Sequence, residues 1–128
     1  MQDRPNAAEL AEAVREFIEI EVLPEIDDPR LRFRTLVAAN GLGILEREIA
    51  LGAPLVRREV GSLARLLGHA DPLPDDLEEL RRRAADLNRE LAQRIRAGDA
   101  PEGTLAHCVA TVADKLRVAS PRYLERYR

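Results

Sequence analysis

The stretch VAANGLGILERE, residues 37–48, decides how this chain is read. Val37, Ile44 and Leu45 recur at helical spacing, yet Asn40, Gly41 and Gly43 interrupt them. On a helix, residues 33, 37, 40, 44 and 47 share a face. Asn40 is therefore expected to lie among Phe33, Val37 and Ile44, inside a core. A buried amide without partners costs about 1–3 kcal/mol. Arg47, Thr111 and Tyr123 are the groups expected to satisfy it. Each glycine costs about 1 kcal/mol relative to alanine in a helix. The expected compensation is close approach of another backbone. The functional alternative places Asn40 in a small polar pocket, edged by Arg34, Arg47 or Glu48. Gly41-Leu42-Gly43 opens like a dinucleotide fingerprint, but Glu46 stands where the third glycine belongs and no strand precedes it.

Outward from this segment the spacing predicts five helices and no strand. Asn6 caps the first, with Glu9 as its capping-box partner. Leu10, Val14, Phe17, Ile18 and Val22 supply its stripe, and Pro24 stops it. Asp28-Pro29 opens the second, which is apolar nearly all round and ends at Gly52. Pro54 opens a third, closed by Gly68. Asp75 or Asp76 starts the fourth, with Leu77, Leu80, Ala84, Leu87, Leu91 and Ile95 as its stripe, and Gly98 ends it. Gly103 or Thr104 opens the fifth, with Leu105, Cys108, Val109, Val112 and Leu116 as its core stripe, before Ser120-Pro121. The predicted fold is an all-α, single-domain bundle over residues 1–128, with a buried central second helix and fraying at 1–5 and 125–128.

Composition supports this. The chain has 128 residues, enough for one domain without disulfide or metal staples. Aromatics are only 3%, so aliphatic side chains must fill the core. The net charge of −3 offers no basic stripe for nucleic acid. The single Cys108 excludes an intrachain disulfide and fits a reducing cytoplasm. Nothing reads as a signal peptide or a membrane span, so a cytoplasmic location is expected.

Chemistry-bearing residues are sparse. His69 and His107, with one cysteine, do not make a zinc pattern, and no metal or cofactor is expected. His107 and Cys108 are adjacent, so they point to different helix faces. Glu78 and Glu79 stand at i,i+4 from Arg82 and Arg83, as on a solvated face. The tail concentrates Tyr123 and Tyr127 with Arg122 and Arg126. Tyr and Arg are enriched at interface anchors. Packing is expected for Tyr123, and the tail is the candidate interface.

Three blocks carry a resemblance: RPNAAELAEAVREFIEIEVLPEI, RFRTLVAANGLGILERE and KLRVASPRYL. They resemble a bacterial family of short all-α proteins of unknown function. Its members are encoded beside, or fused to, aminoglycoside-phosphotransferase-like kinases, with acyl-CoA dehydrogenases nearby. The resemblance implies a partner, a kinase-like phosphotransferase or an acyl-CoA dehydrogenase, and no catalytic residues. The kinase's own glycine-rich loop and catalytic Asp/Asn set are missing here. The leading expectation is thus a non-catalytic accessory or interaction module. The alternatives are a small-ligand or acyl-chain binding bundle, with a cavity bordered by Phe33, Val37, Asn40 and Ile44, and a small enzyme built on Asn40, Arg34, Arg47 and Glu48. Homodimerisation is compatible with all three.

Overall fold

A computed structural model describes residues 3–126. The order is α1 (Ala7–Phe17), a widened turn over Ile18–Val22, a tight turn over Leu23–Glu25, α2 (Pro29–Leu67), α3 (Leu77–Arg96), α4 (Thr104–Ala119) and α5 (Pro121–Arg126). The all-α class and the five helices agree with the sequence. Their division along the chain does not.

Local capping chemistry is as expected. Asn6 Oδ1 accepts from the Glu9 amide at 2.9 Å, while Asn6 Nδ2 donates to the Glu9 carboxylate at 3.0 Å. Asp28 and Asp76 accept from the amides of Leu31 and Glu79. Gly68 closes α2 in the left-handed region that glycine reaches without strain, at φ 77°. Ser120 ends α4, but Pro121 then opens the short α5, with its fixed φ suited to a first helical turn.

The second and third predicted helices are one. Pro54 lies inside α2, a single helix of 39 residues. An interior proline lacks the amide hydrogen and crowds the carbonyl four residues back. Here neighbours splint the joint. On α4, Val118 meets Arg47 before the proline, and Asp114 meets Arg58 after it. On α3, Arg81 meets Glu48 and Asn88 meets Glu59. Packing on both sides overrides the local stop signal.

α2 is central: α1, α3 and α4 each pack on it, and among the described residues no two of those three come within 8 Å Cα–Cα. The core lies in its second half. Val60, Leu63 and Ala64 of α2 interlock with Leu80, Ala84, Leu87 and Leu91 of α3. The first half is different. Ala39 and Gly43 are buried, but Phe33 is 66% exposed and Val37 and Asn40 are exposed too. The expectation of a sequestered Asn40 is therefore overturned. Each residue turns the helix by about 100°, so with Ala39 on the buried side Asn40 stands at its open edge. Gly41 has no atom within 4 Å of where a Cβ would stand, so no close backbone explains it. At Gly43, Arg15 Cδ would lie 3.5 Å from such a Cβ; the residue seats an arginine stem.

Two further stripes are reversed. α1 buries Ala11 and leaves Leu10, Val14 and Phe17 outside. α4 buries His107, Asp114 and Val118 against α2, leaving Leu105, Val109 and Val112 in solvent. In both helices, polar groups that find specific partners on α2 set the rotation against the apolar pattern.

Candidate functional site

Three sites combine shape with chemistry. The first is a polar cleft of about 610 Å³ between α1, α2 and the α4–α5 junction. Arg15 lines it from α1 and Glu19 from the widened turn that follows, Asn40, Glu46 and Arg47 from α2, and Ser120 and Arg122 from the junction. Arg15 faces α2 because it stands one turn after buried Ala11. Its Nε donates to Glu46 and its Nη1 to Glu19, both at 3.1 Å. The hydrogen bond to Glu46 is the main reason that Arg15 is held above its ordinary pKa. Arg47 Nε donates to the Val118 carbonyl at 2.7 Å. Three arginines and two carboxylates leave the walls with one excess positive charge, suited to a carboxylate or phosphate group. No nucleophile–base pair converges there.

Of the four residues expected to share a polar pocket, Asn40 and Arg47 do line this cleft. Arg34 and Glu48 are not among its walls. Glu48 borders the second site and pairs with Arg81 at 3.3 Å. The constellation required for a small enzyme is therefore not assembled. The reason is angular, since the four positions fan around α2. Phe33, Val37, Asn40 and Ile44 do not share one of these sites either: Asn40 lines the first, Ile44 the second, and Phe33 and Val37 are exposed and line none of the three.

The second site is an apolar groove of about 320 Å³ between α2 and α4. Ile44, Leu55, Val56 and Val118 form its walls. Its carboxylates are engaged. Asp114 receives Arg58 Nε at 2.8 Å and also pairs with Arg117. Glu59 receives Asn88 at 3.1 Å, with Lys115 at 3.6 Å.

The third is a pair that the sequence did not reveal: Ser62 Oγ lies 2.7 Å from His107 Nδ1. It sits beside a shallow groove that Arg65 and Glu102 also line. The other ring nitrogen is 3.5 Å from the Thr111 hydroxyl, with no carboxylate to orient it. His107 is buried, and the pair binds α4 to α2. Its only signal in the sequence was a polar residue at helical spacing from Thr111 and Asp114. The other histidine, His69, pairs with Glu90 at 2.8 Å. The expected i,i+4 pairs on α3 are replaced: Glu78 meets Arg81, and Arg83 meets Asp71.

Among the described residues, no cluster of metal-ligating side chains occurs, and no helix is long and apolar enough to cross a membrane. In the tail, Arg122 lines the polar cleft, Tyr123 is half-exposed on α5 and Arg126 is exposed. Tyr127 and the outer parts of both fraying segments lie outside the described residues.

The family model described as a domain of unknown function, DUF6285, matches residues 24–123. The chain belongs to this family. The DUF6285 match takes in α2, α3, α4 and the start of α5, and so includes Asn40, Arg47, Ser62 and His107. α1, which supplies Arg15 to the polar cleft, precedes the matched residues. The search of curated proteins and the search of solved structures each returned no match.

Proposed function

We propose that this DUF6285 protein is a non-catalytic interaction module whose docking surface is the free end of the α1–α2 hairpin. The observation that carries the reading is the exposure of Phe33 at 66%, beside Leu31, Leu36 and Val37 on the same turns. Phe17 and Ile20, at the same end of the hairpin, are exposed as well. Arg32 donates to the Leu23 carbonyl at 2.9 Å and so ties the start of α2 to the tight turn that precedes it. A rigid apolar end of this kind loses water favourably when another protein covers it, at about 25 cal/mol per Å².

The partner we propose, by the family resemblance, is a kinase-like phosphotransferase or an acyl-CoA dehydrogenase. The test is capture of each purified enzyme by the immobilised chain, with Phe33→Asp as control. Retention by the native chain and at least tenfold weaker retention by the variant support the reading. Retention of neither enzyme, or equal retention by both forms, removes it.

A second reading has its own support in the apolar groove between α2 and α4. Its volume and its walls of Ile44, Leu55, Val56 and Val118 suit part of an acyl chain. Calorimetric titration with a long-chain acyl-CoA tests it. Heat that disappears in Leu55→Glu supports a ligand there, and no heat in the native chain excludes one.

A further inference from the structure

The polar cleft between α1, α2 and the α4–α5 junction holds more hydrogen-bond donors than the fold uses. Arg47 gives its Nε to the Val118 carbonyl, and its two terminal nitrogens have no acceptor among the described residues. Arg15 gives its Nε to Glu46 and its Nη1 to Glu19, which leaves Nη2 over. Arg122, Asn40 and Ser120 line the same walls, and among the described residues their side chains make no hydrogen bond or ion pair. Gly43 draws two of the arginines together. A Cβ built there would lie 3.4 Å from Arg47 Nη1 and 3.5 Å from Arg15 Cδ, so both side chains pass over the same bare backbone.

Several arginines elsewhere are neutralised where they stand. Arg58 and Arg117 both close on Asp114, Arg81 on Glu48 and Glu78, and Arg94 on Asp99. In the cleft the carboxylates of Glu46 and Glu19 both go to Arg15, and Arg47 and Arg122 keep their charge uncompensated. Cations gathered without counter-charges repel one another unless an anion joins them. The volume of about 610 Å³ exceeds what a bare ion needs and falls in the range of small-molecule sites. Leu36 and Pro121 add apolar wall beside the charges.

We infer that this cleft binds a small phosphate monoester, with the phosphate group held by Arg15, Arg47 and Arg122. The three guanidinium groups come from α1, α2 and α5, so they approach from three sides. That arrangement suits a tetrahedral group with three free oxygens. A carboxylate presents two oxygens in one plane, which a single guanidinium fork already satisfies. A monoester phosphate loses its second proton near pH 6, at about the middle of the physiological range, and the dianion answers the two uncompensated arginines. The Asn40 amide and the Ser120 hydroxyl add neutral donors, and the organic part of the ligand lies against Leu36 and Pro121. Glu46 acts as a positioning residue, since its hydrogen bond fixes the Arg15 side chain. The inference goes beyond the docking reading, because Phe33 lines no part of the cleft.

Calorimetric titration of the full chain with phenyl phosphate, at low salt and mildly alkaline pH, provides the test. Saturable binding of one equivalent is expected. Benzoate, which carries the same ring on a carboxylate, is expected to bind about tenfold more weakly. Inorganic phosphate is expected to displace the probe only at higher concentration, since it gains nothing from Leu36 and Pro121. Arg47→Gln and Arg122→Gln are each expected to weaken binding about 10- to 100-fold, as the loss of one charge-assisted contact does. Arg122 has no partner in the described fold, so the far-ultraviolet spectrum of its variant is expected to stay helical. Arg96→Gln removes the same charge from the exposed end of α3 and is expected to change binding by no more than about twofold. No saturable binding to the folded native chain, unchanged binding in Arg122→Gln, or equal weakening by Arg96→Gln would each overturn the inference. So would benzoate or inorganic phosphate binding as tightly as phenyl phosphate. Phe33→Asp is expected to bind the probe as the native chain does, so failure of the docking reading and failure of this one are told apart.

Discussion

Arg47 reaches the carbonyl of Val118 with its Nε at 2.7 Å, and so caps the last turn of α4 from the central helix. The last four carbonyls of a helix have no partner within it. Arg47 supplies one, and further along α2 Arg58 holds Asp114 of the same helix. Together they make α4 a brace across Pro54. Arg47→Ala is expected to lower stability by about 1–2 kcal/mol, the range for a partly exposed charged donor. Urea unfolding measures it, and an unchanged midpoint would mean that the cap carries no stability.

Pro54 yields the opposite sign. The amide that proline lacks would bond to the carbonyl of Ala50, and an interior proline costs about 3 kcal/mol. Pro54→Ala is expected to stabilise the chain by about 1–3 kcal/mol. A loss of stability in the same assay would show that the packing of α4 on α2 depends on proline at this position.

The glycines of α2 separate by their surroundings. A methyl group at Gly41 meets open space, so Gly41→Ala is expected to gain about 0.5–1 kcal/mol. At Gly52 the added carbon would stand 2.8 Å from a Glu48 carboxylate oxygen. Glu48 must then swing away from Arg81, and the gain at Gly52→Ala is expected to be smaller. Equal shifts in thermal midpoint for the two variants would refute the difference.

Core and hairpin end are expected to respond differently to truncation. Leu63 is fully buried among Leu80, Leu87 and Leu91. Leu63→Ala is expected to cost about 2–5 kcal/mol, and Phe33→Ala no more than about 0.5 kcal/mol. A large loss from Phe33→Ala in the isolated chain would place that ring in the fold and not at a docking surface.

Ser62→Ala tests whether the Ser62–His107 pair is structural. Removing the hydroxyl leaves a buried ring nitrogen without its partner, at a cost of about 1–3 kcal/mol. The variant is expected to lose stability by that amount and to bind partners as before. Hydrolysis of an activated ester by the native chain, abolished by the substitution, would instead mark the serine as a nucleophile.

The sequence by itself determined that this chain is helical, where Asn6 and Asp28 start helices, that the pair Asp75-Asp76 starts another, and where Gly68 ends one. Caps and the 3.6-residue period act over one or two turns, so they are readable without a fold. It also showed most of the core face of α3, because its apolar stripe stands on an otherwise charged helix: Leu80, Ala84, Leu87 and Leu91 are buried and Leu77 is half-buried, while Ile95 at the end of the same stripe is exposed. Only the tertiary structure decided which way the other helices face. α1, α4 and the first half of α2 are apolar on several sides or carry competing polar partners, so period alone could not choose a face. Arg15 with Glu46, His107 with Ser62, and Asp114 with Arg58 made that choice through contacts distant in sequence. The same contacts left Asn40 in solvent, carried α2 through Pro54, and left Leu105, Val109 and Val112 of α4 outside.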